Sequence, residues 1–377
     1  GTDTAAGQEL WKSDGTPAGT ARVADVRAGV GTSTPVPLAG LGAGALFAAN
    51  DGLSGTELWA SDGTAAGTRL VLDLEPTRAT ASSNPHDLVV VNGSTWFIAN
   101  GGSGIGDRLW RTDGTPAGTL SPSAVASLTV RGPAPLPNGF AGGRYQPALT
   151  PFGTRVAFVS SSAPSHLFIT DGTSAGTFSP TQARNLTLGQ EGIVGLAGGY
   201  LYFAANDGAT GVELWRTDGT QNETRLVLDI VAGTGSSRPR LGVALGGRLG
   251  FFAEVAGRME FWTSDGTASG TARAGTSSLP GNTGLWPPVT AGGRASYPCA
   301  IPGPGGGQLT VCAWSGASFT IASTLAIDPI SQDFVAFGQG VLVSARPISS
   351  SAGFEPYFVV DGVPVLLRDI RPGTAGS

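Results

Sequence analysis

One run of residues returns along this chain at a nearly even interval, and it leaves few folds open. Glu9-Leu10-Trp11 is followed by Ser13-Asp14-Gly15-Thr16 and by Gly19-Thr20. The run returns as Glu57-Leu58-Trp59 with Ser61-Asp62-Gly63-Thr64, and as Leu109-Trp110 with Thr112-Asp113-Gly114-Thr115. A weaker copy is Leu167-Phe168 with Thr170-Asp171-Gly172-Thr173. Glu213-Leu214-Trp215 with Asp218-Gly219-Thr220, and Phe261-Trp262 with Asp265-Gly266-Thr267, are the next two. Decayed copies lie at 312–316 and 358–362. The interval, roughly 46–58 residues, is too long for leucine-rich or ankyrin units and matches a four-stranded propeller blade. The expectation is an all-β chain, one β-propeller domain over residues 1–377.

Each unit supplies its own strands. Leu46-Phe47-Ala48 and Leu201-Tyr202-Phe203-Ala204 follow Gly-rich turns, and each turn follows a short apolar stretch. That makes a first hairpin, strands A and B. The Glu-Leu-Trp run is strand C, Asp-Gly-Thr is a turn in which Gly takes a positive φ, and 69–74 and 225–230 are strand D. Composition agrees: 60 Gly and 26 Pro in 377 residues exclude a helical bundle. Eight C–D hairpins are legible and only seven A–B hairpins, near residues 42, 93, 153, 199, 247, 292 and 339. Eight blades are expected, the first incomplete in this chain, with seven as the alternative. An upstream hairpin, a neighbouring copy or another protein would complete the first blade. The start at Gly1, with no leader and no initiator Met, is expected to mark a processed or truncated product.

The repeated unit resembles the bacterial ELWxxDGT repeat family over almost the whole chain. The resemblance implies a secreted or surface-exposed β-propeller, often part of a larger repeat protein. It implies no catalytic activity and carries no functional residues to transfer.

The repeated positions read as structural. Trp11, Trp59, Trp110, Trp215 and Trp262 are expected to pack between blades, because Phe168, Cys312 and Phe358 take their place elsewhere and sugar stacking would not survive a Cys. Asp14, Asp62, Asp113, Asp171, Asp218 and Asp265 are expected to accept hydrogen bonds from turn amides. Glu9, Glu57, Glu213 and Glu260 are expected to pair locally with arginines such as Arg69 or Arg225; Arg108, His166, Thr310 and Pro356 break any acidic ring. Asn50-Asp51-Gly52 and Asn206-Asp207-Gly208 read as tight turns, with calcium a weaker alternative because further acids in step are missing. No other cofactor is expected.

Catalysis finds little support. His86 and His166 are the two histidines; no HExxH or GxSxG occurs, and a three-histidine zinc site is excluded. Binding is expected where the repeat departs from its pattern: the insertion 120–150 with Arg144 and Tyr145, and the loop holding Trp286. Cys299 and Cys312, on one hairpin, suggest a disulfide and an oxidising compartment. A net charge of −5 argues against nucleic acid as partner, and no apolar run reaches membrane-spanning length. The expected function is a non-enzymatic extracellular or cell-surface propeller of an exporting bacterium. It would act as a scaffold or adhesion module for a protein or a surface polysaccharide, or for copies of itself. A lectin-like propeller, or a glycan-active enzyme with its site at the channel mouth, are the alternatives.

Overall fold

The computed structural model of the protein describes residues 1–377 other than 77, 79, 103–105, 132–147, 282, 286–287, 292, 302–307, 316–318, 322–324, 328–333, 348–353 and 368–377. The chain divides into two compact units, one holding residues 1–132 and 147–178, the other the chain from 179 onward. Both are built of antiparallel sheet. The helix among the described residues is one turn, Pro180–Ala183, capped by the Ser179 side chain on the Gln182 amide.

In the first unit, Val36–Leu41, Gly44–Asn50, Thr56–Ser61 and Arg69–Leu72 form a four-stranded meander in chain order, the expected strands A to D. His86–Val91, Ser94–Asn100 and Asp107–Thr112 repeat strands A to C; strand D shrinks to a single bridge between Arg111 and Leu120. Leu149–Phe152, Arg155–Val159 and Leu167–Thr170 do the same, with a bridge from Ile169 to Phe178. Leu10–Lys12 and Ala21–Ala24 pair as a C–D hairpin.

The second unit opens with two complete sheets. The first is Thr187–Ala197, Tyr200–Asn206, Glu213–Thr217 and Arg225–Leu228; the second is Arg240–Leu245, Arg248–Val255, Arg258–Ser264 and Ala272–Pro280. In the last two sheets strand A is broken in two. Gly284–Leu285 and Val289–Ala291 both pair with Arg294–Ile301, and Leu325–Ile327 and Phe334–Phe337 both pair with Gly340–Pro347. The A–B turns near residues 42, 93, 153, 199, 247 and 339 fall where the sequence places them, and residue 292 lies outside the described residues.

The core explains the order of the layers. Leu201, Tyr202, Phe203, Ala204 and Ala205 are all 0% exposed, so both faces of that strand B are covered. A strand buried on both faces reads as a continuous apolar run, as the B strands here do. The covering comes from the neighbouring sheets. Leu46 and Leu58 of one sheet share a cluster with Phe97 and Ala99 of the next. Val194 and Leu214 pack with Leu249 and Phe251 of the sheet that follows. Four-stranded antiparallel meanders joined in chain order and packed face to face are the blades of a β-propeller.

Candidate functional site

The motif Asp is consumed by its own turn. Asp62 Oδ1 accepts the Thr64 amide at 2.9 Å and the Thr64 hydroxyl at 2.7 Å. The Thr64 Oγ1 accepts the Gly67 amide at 3.0 Å, and the Thr68 hydroxyl donates back to the Thr64 carbonyl. Gly63 turns the corner at φ 86°. The same Asp-to-Thr pair of bonds forms at Asp14, Asp113, Asp171, Asp218 and Asp265. These bonds hold the carboxyls of Asp14, Asp62, Asp113 and Asp265 below the usual range, the Thr hydroxyl first and its amide second. Gly67 suits the turn because a Cβ there would stand 2.1 Å from the Asp62 carboxylate as that group lies in the turn. One copy differs: Glu223 takes the Gly position, its amide lies 3.4 Å from Thr220 Oγ1, and its carboxylate pairs with Arg216 at 3.3 Å and with Arg225.

The motif Glu corrects the expectation of arginine partners. Glu57 is fully buried, and its carboxylate accepts the Ser83 hydroxyl at 2.5 Å, the Ser83 amide at 2.7 Å and the Leu74 amide at 3.3 Å. Glu213 holds Ser237 and the Ile230 amide in the same way, and Glu9 holds Ser33 and the Val26 amide. The Glu thus clasps strand C to the segment running from strand D to the next strand A. Only polar donors of that segment can meet a carboxylate inside the fold. Burial pushes the Glu57 and Glu213 carboxyls up, and the Ser hydroxyls and amides pull them part of the way back. Glu260 keeps the expected kind of partner, Arg273 at 3.3 Å. Where Arg108 replaces Glu, polarity inverts: its guanidinium donates to the Ala126 carbonyl.

Trp59, Trp110, Trp215 and Trp262 each lie opposite a Phe of strand B. Trp59 lies opposite Phe47 with ring centroids 6.3 Å apart, and Trp110 opposite Phe97 at 6.4 Å. Trp110 packs on the cluster of Leu46 and Leu58 from the preceding sheet, and Trp262 on that of Val194 and Leu214. The indole N–H groups of Trp11, Trp59, Trp110, Trp215 and Trp262 are buried without an acceptor. Asp51 Oδ1 accepts the amides of Leu53 and Ser54 and the Ser54 hydroxyl, and Asp207 repeats this with Ala209 and Thr210, so these segments are closed turns. Cys299 and Cys312 are joined in a disulfide. The loop candidates Arg144, Tyr145 and Trp286 lie outside the described residues.

A cluster that the sequence does not announce sits at the foot of the insertion. His86 and Asp87 open one strand A, and Asp107 opens the strand C two places across the same sheet, with Ser94–Asn100 between. His86 Nδ1 lies 2.9 Å from the Asn84 carbonyl oxygen, which can only accept, so Nδ1 carries the proton. Nε2 stands 3.8 Å from Asp107 Oδ2 and 4.0 Å from Asp87 Oδ2. Asp87 Oδ2 is buried and has no hydrogen-bond partner. Burial pushes the Asp87 carboxyl up; His86 and a bond from the Ala148 amide oppose this, and Asp107 adds to it. Asp87 (φ 51°) stands where the later sheet has buried Leu241 (φ 54°), four residues after the clasped Ser in each case. An apolar position has become a carboxylate, set beside an imidazole that neighbours a second carboxylate. The signal in the sequence was Asp87, a carboxylate where the later unit has Leu241.

No family model and no curated protein matches the chain. Solved propeller proteins do. A peptidase from Mycobacterium tuberculosis that hydrolyses puromycin is 14% identical, with a TM-score of 0.43, over 97% of this chain and 57% of that one. A prolyl endopeptidase is 12% identical with a TM-score of 0.48, over 89% of this chain and 49% of that one. The β-propeller domain of the Trilobed protease from Pyrococcus furiosus is 9% identical with a TM-score of 0.38, over 90% of this chain and 98% of that one. The chain spans about half the length of the peptidases it matches. At these levels the likeness is one of chain architecture and assigns no activity.

Proposed function

We propose that the chain is a non-enzymatic binding and scaffolding propeller, exported to the cell surface or beyond, whose partner is a protein. The observation that carries this is the fate of the repeated residues. Every recurring Asp and three of the four recurring Glu are spent on bonds that hold turns and strands together, which leaves recognition to the places where the repeat is broken. The disulfide supports an oxidising compartment. The resemblance to the ELWxxDGT repeat family supports a surface-exposed propeller. Purified chain, screened on arrays of extracellular proteins and of glycans, is expected to bind protein saturably and without turnover. Selective binding to glycans would favour the lectin reading, and hydrolysis of any arrayed substrate would overturn the non-enzymatic one.

A further inference from the structure

We propose that the C–D turn of a repeat is the receiving half of a latch, which takes a cationic side chain from the sheet or segment before it. Lys12 Nζ donates to the Gly63 carbonyl in the next sheet's turn at 2.8 Å, and Arg69 Nη2 donates to the Gly114 carbonyl one sheet further on at 2.9 Å. Arg184, at the end of the one-turn helix, donates to the Gln221 carbonyl from Nε at 3.1 Å and from Nη2 at 2.7 Å. Arg294 Nε donates to Asp361 Oδ1 in the turn of the last sheet at 2.7 Å. Arg216 lies against Gly266, its Nη1 2.6 Å from where a Cβ would stand. The Asp62 and Thr64 side chains bond each other, and the Gly63 carbonyl is the atom that takes the outside donor. A carbonyl accepts equally from an ammonium or a guanidinium, so either cation serves.

The donors come from different positions, and the sheet explains how. Lys12 follows the motif Trp and stands opposite Ala21 on strand D. In the next sheet the residue after the Trp is Ala60, and the cation, Arg69, stands opposite it. Residues directly opposite on paired strands share a face of the sheet. A cation at either end of that rung therefore reaches the following turn. Arg216 and Arg225 fill both ends of one rung: Arg216 lies on Gly266, and Arg225 pairs with Glu223. The rung of Arg111 and Leu120 departs from this, and there Trp96 and Pro122 meet the Gly172 turn. The rung, rather than either residue alone, places the cation.

The test follows amide hydrogen exchange in the full chain. Lys12 is exposed, so Lys12→Ala should fold as the parent does. It should speed exchange across residues 62–68 about three- to tenfold and leave the turn at 14–20 unchanged. Lys12→Arg should keep the parent's slow exchange. Ala21 is exposed as well, so Ala21→Arg added to Lys12→Ala should restore slow exchange at 62–68 by moving the cation to the other end of the rung. Arg69→Ala should speed residues 113–119 in the same way. Unchanged exchange at 62–68 in Lys12→Ala would overturn the proposal. Equal acceleration at 14–20, which marks general loosening, would do the same, as would a folded double variant that shows no recovery.

Discussion

Removing the fully buried clasp at Glu57 should cost more than removing its partly buried counterpart at Glu260. Ser83→Ala deletes one hydrogen bond to a charged acceptor, from the Ser83 hydroxyl at 2.5 Å, and should cost about 1.5–3 kcal/mol. Glu57→Ala leaves the Ser83 hydroxyl, the Ser83 amide and the Leu74 amide without their acceptor and opens a void, for about 3–5 kcal/mol. Glu260, 12% exposed, pairs with an Arg273 side chain that is 37% exposed and reached by solvent, so Glu260→Ala should cost less than Glu57→Ala, about 1–2 kcal/mol. Chemical denaturation followed by circular dichroism gives all three. The clasp also carries a pH signature. Burial holds the Glu57 carboxyl above its ordinary value, so the folded chain binds this proton more tightly than the unfolded one. Its contribution grows as pH falls from neutrality through the folded value towards ~4.3, and is lost as pH rises. The margin of the parent over Glu57→Gln should therefore widen on acidification. A Glu57→Ala loss no larger than that of Glu260→Ala, or a margin that narrows on acidification, would refute the reasoning.

Three further outcomes follow from the same contacts. Gly67→Ala should destabilise by about 1–3 kcal/mol, since its Cβ would meet the Asp62 carboxylate, and adding Asp62→Ala should recover part of the loss in the same denaturation assay. Phe47→Ala should cost about 3–5 kcal/mol and exceed Trp59→Ala, because Phe47 is 1% exposed while the indole opposite is only partly covered. Replacing both Cys299 and Cys312 by Ala should lower stability by about 2–3 kcal/mol, and peptide mapping without reductant should find the two peptides linked.

What the sequence could tell depended on how far apart the partners lie. The Asp-Gly-Thr turn is legible because Asp62 bonds a residue two places on. The A–B hairpins are legible because a tight turn writes its own residues. The Glu57 clasp is not, because Ser83 lies 26 residues away and nothing local marks it as a donor, so a nearby arginine looked the better partner. His86 and Asp107 escape for a related reason. They meet only after a strand has been laid between them, and their meaning depends on a carbonyl at Asn84 that fixes the ring's proton. The shrunken strand D at Leu120 and Phe178 reflects Pro122 and Pro180 just beyond, which cut pairing to a single bridge.

The division of labour between repeated and departing residues is tested most directly by a change at a repeated carboxylate on the protein array. Asp62→Asn should keep the parent's protein binding and lower only the unfolding midpoint. Binding lost with Asp62→Asn in a folded chain would contradict the account.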